Sequence, residues 1–276
     1  MAGRGEPELL VRGNASPHGY QLRPSDARAL QEADVIIRIG PALESFLERP
    51  LMMAPKGIQV ITLMEAPGVR ILPAREGGVW SLEADGVDHD HDAAEEHAAE
   101  PHDHGPDDAH IWLSPRNAQA MVDAIAQGLA AADPDHGALY LQNAARARAD
   151  LAALDQELEA RLAPVREKPF VVFHDAYQYL EVAYGLRAAG AITVSPDRPP
   201  SARRLADLAR KIDQSDARCV FGEVQTSSPL AATLADDLGL GIGQLDPEGT
   251  AGGDGPGGYA RMMRHNVAVI VECLSR

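Results

Sequence analysis

This chain of 276 residues has few aromatic side chains, no long apolar run and no excess of positive charge. Phe, Trp and Tyr together make up 4% of it, and no run of 18 or more apolar residues occurs, so the sequence predicts no transmembrane helix. Lys and Arg number 25 against 41 Asp and Glu. The formal net charge of −16 argues against nucleic acid and anionic membrane surfaces as partners, and is compatible with a cation as ligand.

Cysteine is also rare, with only Cys219 and Cys273 present. Two cysteines alone leave open whether they pair or are unrelated buried thiols.

Residues 1–13 lack the apolar segment of a signal peptide, so this stretch taken by itself favours a cytoplasmic protein. Motifs of the H-E-x-x-H, Gly-x-Ser-x-Gly and P-loop types are absent too, which argues against the corresponding enzymes and nucleotide-binding proteins.

Histidine is unusually concentrated in one acidic stretch between Val87 and Trp112. Imidazole and carboxylate groups alternate there at short spacing, which is typical of weak, multi-site binding of a divalent transition metal. The alternative interpretation is an acidic solvated linker in which histidine is incidental. The six histidines concerned are His89, His91, His97, His102, His104 and His110.

Short β-branched runs alternate with helical patterns, which predicts βαβ units and a mainly parallel α/β fold. Strands are predicted at 7–11, 34–39, 58–63, 170–173, 191–194, 219–221 and 241–245, and helices at 26–32, 42–51, 115–132, 135–162, 176–184, 202–214, 229–238 and 259–274. The helix at 135–162 is longer than one small domain needs, so we interpret it as a link between two lobes. The predicted division is an N-terminal lobe over 1–134, which includes a His-rich loop at 87–109, a linking helix over 135–163 and a C-terminal lobe over 164–276.

Four candidate metal ligands occupy comparable places, at strand ends or beside helix starts: His18, His110, His174 and Asp246. Ligands of open α/β sheets bind at the carboxyl ends of strands. Three neutral imidazoles and one carboxylate suit tetrahedral zinc, whereas manganese usually recruits more oxygen ligands. Each histidine alone is equally compatible with a capping or core role, and Asp246 before Pro247 with a turn.

An enzyme remains the least favoured alternative. A zinc hydrolase would need a general base near the metal, for which Glu181 and Glu223 are the candidates. Their simpler roles are a charge on a helix surface for Glu181 and a carboxylate that supports a ligand or caps a helix for Glu223.

The four candidates stand in motifs that resemble a known family. His18 lies in SPHGY, His110 in DAHIWLSP, His174 in FHDAY and Asp246 in LDPEG. In this order, over essentially the whole chain, they resemble the metal-ligand motifs of cluster A-I solute-binding proteins of ABC transporters, the TroA-like family, and most closely its zinc-specific ZnuA type. His174, where manganese binders tend to carry Glu, and the acidic His-rich stretch before the second motif favour zinc by this resemblance.

The resemblance implies two (β/α)4-like lobes joined by one long rigid helix, with an N-terminal strand and helix apparently missing. It implies capture of Zn²⁺ in the periplasm and delivery to an inner-membrane ABC permease with its ATPase, without chemistry on the ligand. The five loop histidines before His110 would be accessory metal ligands. Pro17 stands where some relatives of this type carry Glu, which leaves Asp246 or water as the fourth ligand.

The resemblance also implies a disulfide between Cys219 and Cys273, and hence an oxidising compartment. Two other functions remain open at this point. One is a solute-binding protein for manganese or another divalent metal. The other is a zinc metallochaperone or storage protein that works without a permease.

Overall fold

The computed structural model describes residue 3 and residues 5–12, 15–75, 80, 107–193, 200–225, 229–250, 253 and 255–276. The five accessory histidines, from His89 to His104, lie outside these described residues, so their metal binding stays a prediction. None of the described helices is both long and apolar enough to cross a membrane, as the sequence predicts.

The N-terminal half is built around two parallel strands in which Ile36 lies opposite Val60. Its elements are α1 (Pro24–Glu32), β1 (Val35–Arg38), α2 (Glu48–Met52), β2 (Gln59–Thr62) and α3 (Pro115–Ala132), followed by the long helix α4 (Gly137–Leu162). Leu30, Ile36 and Leu47 are buried together between the helices and the strands. The β-branched residues of the two predicted strands therefore do form the expected parallel pair.

Three predictions for the N-terminal half are wrong in detail. Residues 5–12 form no strand, because the carbonyl oxygens of Leu9 and Leu10 accept hydrogen bonds from the side chains of Arg12 and Tyr20 instead of a neighbouring strand. Helix α1 begins at Pro24 with Arg23 as its N-cap, two residues before the predicted start at residue 26. The helix predicted at 42–51 is reduced to a short 3-10 turn and α2.

The C-terminal half is a four-stranded parallel sheet in the order β4–β3–β5–β6, with one helix after each strand. The elements are β3 (Phe170–His174), α5 (Gln178–Tyr184), β4 (Ala188–Thr193), α6 (Ala202–Ser215), β5 (Cys219–Glu223), α7 (Pro229–Leu238), β6 (Gly241–Leu245) and α8 (Gly258–Leu274). All residues of β3 and β5 are buried, which explains why residues 170–173 and 219–221 are continuous apolar runs. This half is the (β/α)4 unit that the resemblance implies.

Helix α4 packs against α3 of the N-terminal half and α8 of the C-terminal half. Its 26 residues span about 39 Å at 1.5 Å per residue. The buried Leu154, Leu158 and Leu162 belong to one apolar cluster that also contains Leu113 and Phe170 from the two halves. A shared core of this kind holds the halves together, as expected of a linking helix, while the domain boundaries stay a prediction.

A disulfide joins Cys219, at the start of β5, to Cys273 on α8. Both residues are buried against β6, where a Cβ atom on Gly241 would lie 2.7 Å from Sγ of Cys273. The pairing that the resemblance implies is therefore present, and Gly241 is the residue that leaves room for it.

Removal of this disulfide should destabilise the protein. The closed loop spans 54 residues, and the chain-entropy model gives about 4 kcal/mol for a loop of that length. We expect Cys219→Ala with Cys273→Ala to lower the free energy of unfolding in urea by about 2–4 kcal/mol. Reductant should lower the stability of the wild type and leave the double variant unchanged. Equal urea midpoints for the wild type and the double variant would contradict this role.

Candidate metal centre

Three histidine side chains meet between the two halves of the molecule. Nε2 of His110 lies 3.2 Å from Nε2 of His18 and 3.1 Å from Nε2 of His174. A tetrahedral zinc ion with Zn–N bonds of about 2.0–2.1 Å would hold its nitrogen ligands about 3.3–3.4 Å apart. The observed separations are close to that value, so the three imidazoles fit a zinc ion with little rearrangement.

His18 lies in a turn of the N-terminal half and is half-buried. Its backbone N–H donates to Oγ of Ser16, 3.3 Å away. Next to it, the ring of Tyr20 packs on Phe46, and the hydroxyl of Tyr20 donates to the carboxylate of Asp26 on α1. The turn is thus anchored to α1 and, through the same hydroxyl group, to the carbonyl of Leu10.

His110 stands immediately before the short 3-10 turn Ile111–Leu113, which leads into α3. Ser114 caps α3 by accepting a hydrogen bond from the N–H of Asn117. The carboxylate of Asp108 accepts two hydrogen bonds from His110, from Nδ1–H at 2.7 Å and from the backbone N–H at 3.0 Å. His110 is therefore fixed in both its ring and its backbone.

His174 is the last residue of β3, and Glu223 is the last residue of the neighbouring strand β5. The carboxylate of Glu223 accepts a hydrogen bond from Nδ1–H of His174 at 2.6 Å and one from the hydroxyl of Tyr177 at 3.3 Å. Burial favours a lower pKa for His174, but the charge and hydrogen bond of Glu223, together with the charges of Asp175 and Glu248, outweigh burial, and the pKa is raised. Zinc binding therefore competes with protonation of this imidazole up to a higher pH than is usual for histidine.

The two carboxylates determine which imidazole nitrogen can bind a metal. Because Asp108 and Glu223 accept from Nδ1–H, the lone pairs of His110 and His174 are on Nε2, the atoms that converge. A carboxylate behind a ligating histidine fixes its tautomer and orientation and raises its basicity. The arrangement is thus prepared for a cation rather than for a general acid.

Asp246 follows β6 and is completely buried. Its Oδ1 atom accepts hydrogen bonds from the backbone N–H groups of Gly249 at 2.8 Å and Thr250 at 3.1 Å, while its backbone pairs with the side-chain amide of Asn266. Asp246 therefore does act as a turn residue. Among the described residues, the group whose ligand atoms all lie within 4.8 Å of one another holds the three histidines and no carboxylate.

Several residues at this site were not identified from the sequence. Asp108 stands two positions before His110, a spacing that could have indicated its role. Asp175 directly follows His174 and contacts Arg75, which no pattern indicates. Glu181 is buried and paired with the same arginine, so its interpretation as a surface charge is wrong. Glu223 hydrogen-bonds the candidate ligand His174, in line with one of the two simpler roles predicted for it.

The sequence is similar to known zinc-uptake proteins along its whole length. A family model described as "Zinc-uptake complex component A periplasmic" matches residues 1–273. The high-affinity zinc uptake system protein ZnuA of Brucella suis is 40% identical over all of this chain and 87% of the relative. The protein of the same name from Paracoccus denitrificans is 38% identical over 99% of this chain and 86% of the relative.

Solved structures show the same fold. A crystal structure of ZnuA has a TM-score of 0.76 at 27% identity and covers 96% of this chain and 89% of its own. The Zn(II)-bound ZnuA-like domain of Streptococcus pneumoniae AdcA has a TM-score of 0.73 at 26% identity, covering 100% of this chain and 92% of its own.

Loss of either supporting carboxylate should weaken metal binding. We expect Glu223→Gln and Asp108→Asn each to lower zinc affinity about 10–100-fold. Glu223 orients the ring of His174 and Asp108 that of His110, and each change removes this orientation and part of the basicity of the imidazole. Glu223→Gln should also reduce the number of protons that zinc releases, because the pKa of His174 is then no longer raised. Calorimetric titration in buffers of different ionisation enthalpy measures both quantities.

The control is Glu157→Gln on α4, which removes an exposed carboxylate whose partners are Arg161 and Arg264 rather than any of the three histidines. Its affinity should equal that of the wild type. Wild-type affinity in both Glu223→Gln and Asp108→Asn would show that the carboxylates do not support metal binding.

Proposed function

The chain belongs to the family of periplasmic zinc-uptake components of the ZnuA type, and on this premise we propose that it is the high-affinity zinc-binding component of an ABC zinc importer, in which His18, His110 and His174 bind Zn²⁺. The observation that carries the residue assignment is the convergence of three Nε2 atoms, with the two measured separations at 3.1 and 3.2 Å. Zinc is the cargo of this site.

The kind of ligand favours zinc over harder cations. All three converging atoms are imidazole nitrogens, which suit zinc, whereas manganese and magnesium prefer sites rich in oxygen. The fourth position is filled by Asp246 or by water. Oδ1 of Asp246 already accepts hydrogen bonds from its own turn, which argues for water, while its place after β6 in the fourth motif argues for the carboxylate.

The site divides the ligands between the two halves of the chain. His18 and His110 come from the N-terminal half and His174 from the C-terminal half. Zinc bound to all three bridges the halves, and a relative movement of about 1 Å between them would already exceed the tolerance of a Zn–N bond. We infer that contact with a membrane permease releases zinc by such a movement. The chain binds its ligand and does not transform it.

The compartment and partners follow from the same premise. The buried disulfide is stable in an oxidising compartment such as the periplasm. The partners would be an ABC permease and its ATPase at the inner membrane. Stimulation of ATP hydrolysis by the reconstituted permease, with zinc-loaded chain present, would distinguish this role from zinc storage or a metallochaperone, which needs no permease.

Replacement of the ligand histidines tests the site directly. We expect the wild type to bind one zinc ion with a Kd of about 1 nM, equivalent to about −12 kcal/mol. His110→Ala and His174→Ala should each weaken this site more than about 100-fold, since a loss of 2.8 kcal/mol corresponds to that factor. His136→Ala is the matched control, because its imidazole pairs with Asp133 outside the group.

Asp246→Asn in the same titration identifies the fourth ligand. Zinc affinity should fall strongly if the carboxylate binds zinc, and it should change little if water does. Wild-type affinity in His174→Ala would contradict the three-histidine site.

Deletion of residues 88–104 separates the loop from the main site. The loop histidines should bind zinc more weakly, because their backbone must be ordered on binding. We expect the deletion to remove additional zinc equivalents and to leave one tight site, as measured by stoichiometric titration. Disappearance of the tight site in the deletion variant would mean that the loop is the main binding site.

A further inference from the structure

A cluster of charged side chains outside the three histidines joins the two halves of the molecule. Arg75, from the N-terminal half, inserts its guanidinium between Asp175 and Glu181 of the C-terminal half. Its Nε lies 3.1 Å from both carboxylate oxygens of Asp175, and its Nη1 and Nη2 lie 2.8 and 2.9 Å from the two oxygens of Glu181. The guanidinium carbon also stacks 3.6 Å from the ring centre of Trp80.

The charged groups of this cluster are much less exposed to solvent than those of a surface ion pair. The side chains of Arg75, Asp175 and Glu181 are only 18%, 9% and 8% exposed. Burial disfavours the charge on Arg75, but the two carboxylates outweigh that effect and raise its pKa, so the guanidinium stays charged. Planar guanidinium forks that contact carboxylates fix orientation as well as distance.

On one side, the cluster is tied to the segment that carries His110. The segments around Leu72 and Asp108 run side by side, with an antiparallel bridge between Pro73 and Asp107 and a hydrogen bond of 2.9 Å from Asp108 N–H to the carbonyl of Leu72. The hydroxyl of Tyr179, from α5, accepts from Leu72 N–H and donates to the carbonyl of Asp108. A displacement of Arg75 would therefore move the backbone of Asp108, which orients His110.

On the other side, the cluster is tied to the segment that carries His174. Asp175 is the next residue in the chain, and the N–H of Ala176 closes a tight turn by donating to the carbonyl of His174 at 2.9 Å. Glu181 lies on α5, which follows this turn. Arg75 thus contacts both the turn and the helix that fix the end of β3.

We propose that Arg75 is a positioning residue for zinc, which sets the separation between His110 and His174 and thereby slows the release of the ion. The inference rests on the proposed function of the site. While Arg75 is hydrogen-bonded to Asp175 and Glu181, the Nε2 atoms of the two histidines are held 3.1 Å apart before zinc binds. Little further ordering is then needed in the binding step. Without these hydrogen bonds, the halves separate more easily and zinc leaves sooner.

The test is the rate of zinc release from protein loaded with one equivalent, followed by stopped flow into an excess of chelator. For Arg75→Gln we expect a dissociation rate constant about tenfold or more above wild type, with the association rate constant within about twofold, because related complexes differ mostly in dissociation. If Arg75 had only a structural role, Arg75→Gln would lower the melting temperature and leave the dissociation rate constant at its wild-type value.

The matched control is Arg38→Gln. Arg38 is similarly buried, with its side chain 12% exposed, but its partners Glu48 and Thr62 lie within the N-terminal half. Its zinc release should match the wild type. Arg75→Lys keeps the charge but cannot form both forks, so it should fold and release zinc at an intermediate rate.

The outcomes separate this inference from the proposed function. Wild-type protein without a tight zinc site would overturn both. A tight wild-type site with wild-type release rates in Arg75→Gln would overturn the role of Arg75 alone. If Arg75→Gln does not fold, Arg75→Lys decides, and release at the wild-type rate from folded Arg75→Lys overturns the proposal.

Discussion

The meeting of three imidazole nitrogens between two halves of one chain is the constraint on which the rest of the structure depends. Imidazole Nε2 atoms that lie only 3.1–3.2 Å apart repel each other unless a cation or a shared proton lies between them, so the surrounding structure must hold them there. Asp108 and Glu223 fix two of the rings from behind. The ends of β3 and β5, which place His174 and Glu223 side by side, are fully buried and cannot shift independently.

Contacts between the halves extend this rigidity beyond the histidines. Trp112, two residues after His110, donates from its indole N–H to the carbonyl of Pro247 at 2.7 Å, and Tyr259 on α8 donates to the carbonyl of Trp112 at 2.9 Å. The first contact ends in the fourth motif, so the segments that follow His110 and Asp246 are joined directly. Together with the apolar cluster along α4, they add to the contacts that hold the two halves against each other.

The sequence predicts the C-terminal half better than the N-terminal half, for a physical reason. The runs at 170–173 and 219–221 are apolar throughout because both faces of β3 and β5 are buried, and this signal is unambiguous. Residues 7–11 carry a similar but weaker pattern, and side-chain hydrogen bonds from Arg12 and Tyr20 satisfy the backbone there instead of a strand. The ligand motifs identify His18, His110 and His174 as candidates, but only the fold shows that their Nε2 atoms meet. Long-range pairs such as Arg75 with Asp175 leave no periodic trace and are visible only in the structure.

The membership of the zinc-uptake family and the geometry of the site lead to the same chemistry by separate routes. The most direct measurement is a crystal structure of the chain with one equivalent of zinc, with anomalous data collected on both sides of the zinc absorption edge. A single strong anomalous peak about 2.0–2.1 Å from Nε2 of His18, His110 and His174 is the expected result. A fully occupied zinc peak elsewhere, with these three imidazoles not coordinated, would contradict the proposed site.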